Sequence, residues 1–303
     1  MRGVVLQGTG GQYQVRLADT STHMAAMRGR LKREGGMKVA VGDDVVVTHD
    51  STTDAWTIVE ILPRRSRLAR RAPGGAHGER IVVANVDQVV VVFAMAKPMP
   101  NEKMLDRFLV VAESNQVAAR VVINKVDLAS SDEARATFGP YAALGYPVHF
   151  TSIVTGAGLA ELHHALRARV TALSGPSGVG KSSLLNAMYP GLDLRVGAIS
   201  ESVNKGRHTT VGALMHPLPD GGYVVDTPGL REVGLWGITA RDLAACFPEF
   251  TAEVPACRFA DCRHLSEPEC GVRGAMAAGR VSRSRYESYV KLRDEVSETE
   301  NAW

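Results

Sequence analysis

Short apolar runs at even spacing fill the chain up to about residue 67: positions 13–17, 45–47 and 56–59 are β-type and are separated by Gly-Gly and Gly-Asp turns. That spacing predicts a small all-β barrel. The pattern then changes. Residues 89–96 form a continuous apolar run, as expected of a parallel strand buried on both faces, and an amphipathic helix near 102–114 and a second apolar run at 118–123 follow. Strand and helix patterns keep alternating through 170–173, 183–188 and 223–225, which predicts an α/β core. Beyond about Gly237 the pattern becomes helical and irregular, ending in a polar helix over 286–296. Three domains are therefore expected, over 1–67, 68–236 and 237–303, with no internal repeat and no long low-complexity segment.

Composition narrows the class only a little. A chain of 303 residues with a 45% hydrophobic share suits two or three domains with real cores. The longest clear apolar run, 89–96, is far too short to span a bilayer, and the opening Met1-Arg2-Gly3-Val4-Val5-Leu6 has no signal-peptide core. A soluble cytoplasmic protein is expected. Net charge is only +3, so distribution matters more. Arg28, Arg30, Lys32 and Arg33 cluster in the barrel; Arg64, Arg65, Arg67, Arg70 and Arg71 mark its exit; Arg280, Arg283 and Arg285 lie near the end. Such clusters suit RNA phosphates, and each is equally readable as a solvated charged face.

Chemistry enters with Gly175-Pro176-Ser177-Gly178-Val179-Gly180-Lys181-Ser182, which fits G-x-x-x-x-G-K-[ST] between an apolar strand and a helix. Glycines let successive backbone N–H groups converge on phosphates, and the helix beginning near Lys181 adds the positive end of its dipole. Lys181 is placed to reach the β- and γ-phosphates and Ser182 to ligate magnesium. Candidate nucleotide contacts here are Gly175, Ser177, Gly178, Val179, Gly180, Lys181, Ser182 and Ser183. A plain Gly/Ser turn is the competing reading, against which the complete motif argues.

Phosphate loops take adenine and guanine nucleotides alike, so Asn124-Lys125-Val126-Asp127 has to decide the base. The Asp127 carboxylate can accept from guanine N1–H and N2–H₂ together. Adenine offers no such donor pair, and leaving the carboxylate unpaired in a tight site costs on the order of 1–3 kcal/mol. GTP is favoured over ATP. Taken alone, the four residues also fit a strand-to-helix turn.

Asp226-Thr227-Pro228-Gly229 follows another apolar strand and puts a carboxylate at the sheet edge, where Asp226 can hold magnesium through water and Gly229 can offer its N–H to the γ-phosphate. The segment from Leu230 is then a natural switch. Many GTPases place a water-orienting glutamine just after this glycine, but Leu230 has neither donor nor acceptor. Catalysis must come from elsewhere. Within Asn204-Lys205-Gly206-Arg207-His208-Thr209-Thr210, where a first switch belongs, His208 is the only imidazole, and such a group, titrating near pH ~6.5, suits positioning or deprotonating water. A surface histidine is the alternative.

These signatures stand in unusual order: 124–127, then 175–182, then 226–229. Most GTPases run the other way. One complete pocket in shuffled order is similar to a GTPase domain whose termini were joined and whose chain was cut elsewhere.

Cys257, Cys262, His264 and Cys270 form a C-x4-C-x-H-x5-C array suited to tetrahedral zinc. With no open position left, that metal is structural. Disulfides are the alternative, and they need an oxidising compartment for which the chain gives no sign. Cys246 stands outside the array and reads as a buried small hydrophobe.

Permuted motifs, the Gly206-to-Thr210 switch, Asp226-Thr227-Pro228-Gly229-Leu230 and the cysteine-histidine array together resemble the ribosome small-subunit-dependent GTPase family, RsgA, over nearly the whole chain. The resemblance implies an amino-terminal OB-fold that binds RNA, a circularly permuted P-loop GTPase core and a mostly helical zinc domain. It further implies that Asn124 bonds the other guanine edge, that the Lys125 stem covers the ring, and that Thr210 rather than Thr209 ligates magnesium. Ser152, within Thr151-Ser152-Ile153, stands where the family supports guanine from its backbone, although Ile153 replaces a commoner alanine. Implied cofactors are one structural Zn²⁺ and Mg²⁺ with GTP. Implied partners are GTP and GDP, the small ribosomal subunit and its rRNA, with no membrane, for a monomeric protein acting late in subunit assembly. Two rivals are a non-enzymatic RNA-binding protein holding nucleotide structurally and an ATP-dependent phosphotransferase, which would leave Asp127 without purpose.

Overall fold

The computed structural model describes residues 1–29, 38–71, 79–192, 194, 213–226 and 238–301. Five strands, β1 (Arg2–Thr9), β2 (Gln12–Leu17), β3 (Thr22–Met27), β4 (Asp44–Asp50) and β5 (Ala55–Ile61), close a barrel in the order β1-β2-β3-β5-β4. The parallel β3–β5 pair among antiparallel neighbours is the arrangement of an OB-fold. Val5, Val15, Ala25, Val45, Val47 and Ile58 point inward and fill the barrel, which is why the period-two pattern was visible in the sequence.

A hairpin, β6 (Arg67–Arg71) and β7 (Glu79–Ala84), joins barrel to core. The junction is pinned by Ala84 N–H donating to Val41 O at 2.8 Å and by Arg64, whose guanidinium holds the fully buried Asp43 at 2.6 and 2.8 Å.

The core sheet runs β10-β9-β8-β11-β13-β12, built from β8 (Gln88–Ala94), β9 (Ala118–Asn124), β10 (Val148–Phe150), β11 (Val170–Ser174), β12 (Leu214–Pro217) and β13 (Tyr223–Asp226). All pairings are parallel except that of the edge strand β12. Every residue of β8 is buried, because helices cover both faces. On one face α1 (Glu102–Ser114) and α2 (Ser131–Ala143) pack Leu105, Leu109 and Phe138 against Val91, Phe93 and Ile123. Caps start both helices: Asn101 Oδ1 accepts from Met104 N–H at 3.1 Å, and Ser130 Oγ accepts from Glu133 N–H at 3.1 Å. On the other face α3 (Leu159–Leu166) and α4 (Lys181–Met188) set Leu162, Leu166, Leu184 and Leu185 against Val90, Val92 and Val122.

The last segment is helical: α5 (Pro248–Thr251), α6 (Gly271–Ala277) and α7 (Arg283–Asn301). Its core is aromatic, with the Tyr289 ring set edge-on 5.4 Å from Phe247 and 5.1 Å from Phe250. Helix α7 outruns the 286–296 expected from sequence, since its extra turns bury too little to leave a hydrophobic stripe. Among the described residues no helix is long and apolar enough to cross a membrane.

Candidate functional site

The sequence motifs meet at the carboxyl ends of β8, β9, β11 and β13, where an open α/β sheet binds its ligands. Directly after β11, Gly175 adopts φ 131° and crosses β8 so closely that a Cβ there would lie 2.1 Å from Val92 O. At the loop's far end Gly180, φ 93°, comes so near Asn124 that a Cβ would lie 2.7 Å from Nδ2. No other residue fits either place. Ser177 and Gly178 form the exposed crest, whereas Lys181 and Ser182 are buried in the first turn of α4. The Lys181 ammonium donates to Gly175 O at 2.8 Å and Pro176 O at 2.6 Å, so its charge lies inside the loop that presents the N–H groups. Ser183 is half-buried beside it.

The Asn124-Lys125-Val126-Asp127 segment is bolted onto this loop. Asn124 Nδ2 donates to Val179 O at 2.9 Å while its Oδ1 accepts from Thr151 Oγ at 3.2 Å. Lys125, in the left-handed region at φ 59°, lays its ammonium 2.7 Å from Gly178 O and also donates to Lys97 O. Val126 N–H reaches Thr151 O at 3.2 Å. Asp127 projects into solvent, and its Oδ1 accepts from the hydroxyl of the fully buried Ser152. That hydroxyl in turn accepts from Val154 and Thr155 N–H at 3.2 and 3.3 Å. Ser152 thus fixes the carboxylate through its side chain, a contact the sequence did not reveal. Lys97 was missed as well, because it acts through a backbone carbonyl.

β13 runs parallel to β11 with Asp226 opposite Leu173, so the chain leaves β13 beside the phosphate loop. The Asp226 side chain, Gly229, Leu230, His208, Thr209 and Thr210 lie outside the described residues.

In the carboxyl-terminal segment, the ligand atoms of Cys257, Cys262, His264 and Cys270 lie within 4.8 Å of one another. His264 Nδ1 is 3.6 Å from Cys257 Sγ and 3.4 Å from Cys270 Sγ, close to the edges of a tetrahedron with metal–ligand bonds of about 2.0–2.3 Å. None of the four cysteines is in a disulfide. Gly271 N–H points at Cys257 Sγ from 3.3 Å and Arg273 N–H at Cys270 Sγ from 3.5 Å, as suits thiolates. Tyr286 and Tyr289 hydroxyls anchor the turn through His264 O and Arg263 O, both at 2.7 Å. Burial foremost pushes the Cys262 thiol up to about 12, so this sulfur takes on charge only with a cation beside it. The donor set, spacing and closure fit zinc. Cys246 is buried, and burial pushes its thiol up to about 11, keeping it neutral.

The basic clusters divide differently from their sequence pattern. Arg64 and Arg285 have side chains only 9% and 4% exposed and are committed to buried carboxylates, which removes them from any RNA surface. Arg280 grips Glu253 through two bonds of 2.9 Å, Arg283 pairs with Glu287 at 3.2 Å, and Arg65 with Asp87 at 3.1 Å. Arg28 is exposed. Arg30, Lys32 and Arg33 and the side chains of Arg70 and Arg71 lie outside the described residues.

Residues 61–236 match the model of the RsgA GTPase family. A protein of Gemmatimonas aurantiaca named small ribosomal subunit biogenesis GTPase RsgA is 61% identical over 297 residues, 97% of each chain. The protein of that name from Thermotoga maritima is 39% identical, covering 96% of this chain and 95% of its own. Among solved structures, YjeQ from Thermotoga maritima superposes with a TM-score of 0.80 at 36% identity, covering 97% of this chain and 98% of that one. YloQ, described as a circularly permuted GTPase, gives 0.76 at 29% identity, covering 98% and 95%.

Proposed function

Because this chain belongs to the RsgA GTPase family, we propose that it hydrolyses GTP and acts in biogenesis of the small ribosomal subunit. The observation that carries the reading is the lock between base-reading motif and phosphate loop: Asn124 on Val179 O, Lys125 on Gly178 O. One motif reads guanine, the other holds phosphates, and these two hydrogen bonds join them.

In this reading Asp127, held by Ser152, accepts from guanine N1–H and N2–H₂, while Asn124 and the Lys125 stem frame the base. Phosphates lie against the N–H groups of 175–183 and the Lys181 ammonium. Ser182, Thr210 and Asp226 are the residues to hold Mg²⁺, which supplies charge neutralisation at the phosphates. His208 positions or deprotonates the attacking water, since Leu230 has no group for that task. Zinc at Cys257, Cys262, His264 and Cys270 holds the carboxyl-terminal domain together.

We assign the boundaries 1–67 to an RNA-binding barrel, 68–236 to the permuted GTPase and 237–303 to the zinc domain. The protein works as a monomer in the cytoplasm, docks on rRNA of the small subunit late in its assembly, is activated there and leaves after hydrolysis. In the permuted order the chain passes from the γ-phosphate-sensing segment after Asp226 straight into the zinc domain, so loss of that phosphate is transmitted to it. GTP hydrolysis measured with and without purified small subunits tests the whole reading; equal rates overturn activation by the subunit.

A further inference from the structure

At the amino-terminal edge of the core sheet, across from the nucleotide site, two guanidinium groups converge on one neutral oxygen. Arg120 Nε donates to Gln88 Oε1 at 3.2 Å, and Arg169 donates to the same oxygen at 3.4 Å. Gln88 is 1% exposed and cannot turn away, because its amide nitrogen is bonded to Ala165 O at 2.9 Å and Thr171 Oγ at 3.0 Å. The other arm of Arg120 donates to His149 Nε2 at 3.0 Å, which requires a neutral imidazole with its proton on Nδ1.

Among the described residues neither arginine has a carboxylate within ion-pair distance. Glu161 on α3 is the acidic group whose field reaches His149. Burial first and Arg169 second pull the Arg120 pKa below its ordinary value, and burial and Arg120 do the same to His149. A half-buried Arg120 and an exposed Arg169 side by side, sharing a single amide dipole, are under-neutralised. Elsewhere in this protein Arg64, Arg107 and Arg285 face carboxylates, whereas the buried Arg293 is bonded to Ala240 O and the Tyr289 hydroxyl.

We propose that Arg120, Arg169 and His149 form a binding site for a phosphate group. A phosphate oxyanion supplies the acceptors that Gln88 alone does not, and the planar forks of two guanidiniums match its oxygens. Gln88 and Thr171 set the floor of the site, and the exposed Arg169, in the turn before β11, leaves it open to solvent. Arg120 precedes Asn124 by four strand positions, about 13 Å along β9, so this group is not a part of the GTP pocket.

The test is NMR of histidine-labelled full-length protein, with GDP saturating the nucleotide site, titrated separately with inorganic phosphate and with a ten-nucleotide single-stranded RNA. The His149 imidazole signals shift saturably, and Arg169→Gln, an exposed turn substitution, weakens the response at least tenfold. Arg120→Gln abolishes it. Shifts at lower RNA than phosphate concentration assign the site to an RNA phosphodiester, and shifts with phosphate alone assign it to a free oxyanion; both uphold the proposal. His149 signals unmoved by either probe, or an Arg169→Gln variant that responds as the parent does, overturn it and leave the GTPase assignment untouched.

Discussion

The Arg285 guanidinium lies 2.8 Å from Asp106 Oδ1, joining residues 179 positions apart. Its remaining nitrogens hold Glu249 at 2.7 and 3.1 Å, Tyr141 donates its hydroxyl to the same Asp106 oxygen at 2.9 Å, and the guanidinium stacks 4.7 Å from the Phe247 ring centre. Asp106 sits on α1, the helix that leaves the loop whose Lys97 carbonyl receives Lys125. The segment that carries the cysteine-histidine cluster is thereby fastened to the helix beside the Lys97–Lys125 contact, in addition to its covalent link after β13.

Removing Arg285 leaves two buried carboxylates without a counter-charge. Arg285→Met is expected to cost roughly 3–5 kcal/mol of unfolding free energy, whereas Arg280→Ala, which breaks an exposed pair, should leave stability close to that of the parent. Urea denaturation of both variants checks the contrast. Similar losses for the two would show that the Arg285 network does not hold the segments together.

In the proposed reading, guanine selection rests on the Asp127 carboxylate, which the Ser152 hydroxyl positions. Asp127→Asn is expected to weaken GTP and improve xanthosine triphosphate, because the amide donor then faces a carbonyl instead of an amino group. Ser152→Ala should weaken GTP about tenfold, the loss of one hydrogen bond to a charged group, without creating a preference for xanthine. Competition binding separates the two effects. An unchanged preference in Asp127→Asn would remove this residue from base reading.

Much of this is legible in the sequence. Residues 89–96 announced β8 because a strand buried on both faces has no polar positions to interrupt it, and the helix at 102–114 coincides with α1 because its apolar stripe is continuous. Other parts left no local trace. In β6, Arg67-Leu68-Ala69-Arg70-Arg71, the charge density hides the alternation, and the four-residue edge strand β12 carries a histidine and a proline. Arg285 looked like one of a basic run, since its partners lie 36 and 179 positions away. Ser152 was singled out for its backbone, but the role of its hydroxyl depends on a fold that brings residue 152 beside residue 127.

Metal removal should act on one part of the molecule. Cys262→Ser or His264→Ala is expected to release zinc and loosen the carboxyl-terminal segment, since metal binding contributes on the order of 10 kcal/mol to small zinc folds. GTP binding should persist, because the phosphate loop and Asp127 belong to the core sheet. Elemental analysis of the native protein gives the decisive number: no stoichiometric zinc would end the assignment.

Turnover of the isolated protein should be slow and strongly accelerated by small ribosomal subunits. Leu230 cannot orient water, so the water-activating group is expected in the 204–210 segment, with His208 the candidate. A partner that brings groups of this segment to magnesium and the γ-phosphate supplies the missing step. Lys181→Ala should abolish turnover by removing the buried ammonium from the loop. His208→Ala should lower stimulated turnover while guanine binding stays intact, and large subunits should stimulate less than small ones. Rates are to be compared at low and moderate salt, because docking on RNA weakens as counterions compete. If His208→Ala retained full stimulation, the water-activating role would pass to another group, with the GTPase fold unaffected; Arg207 or an RNA group is the candidate for transition-state charge stabilisation only.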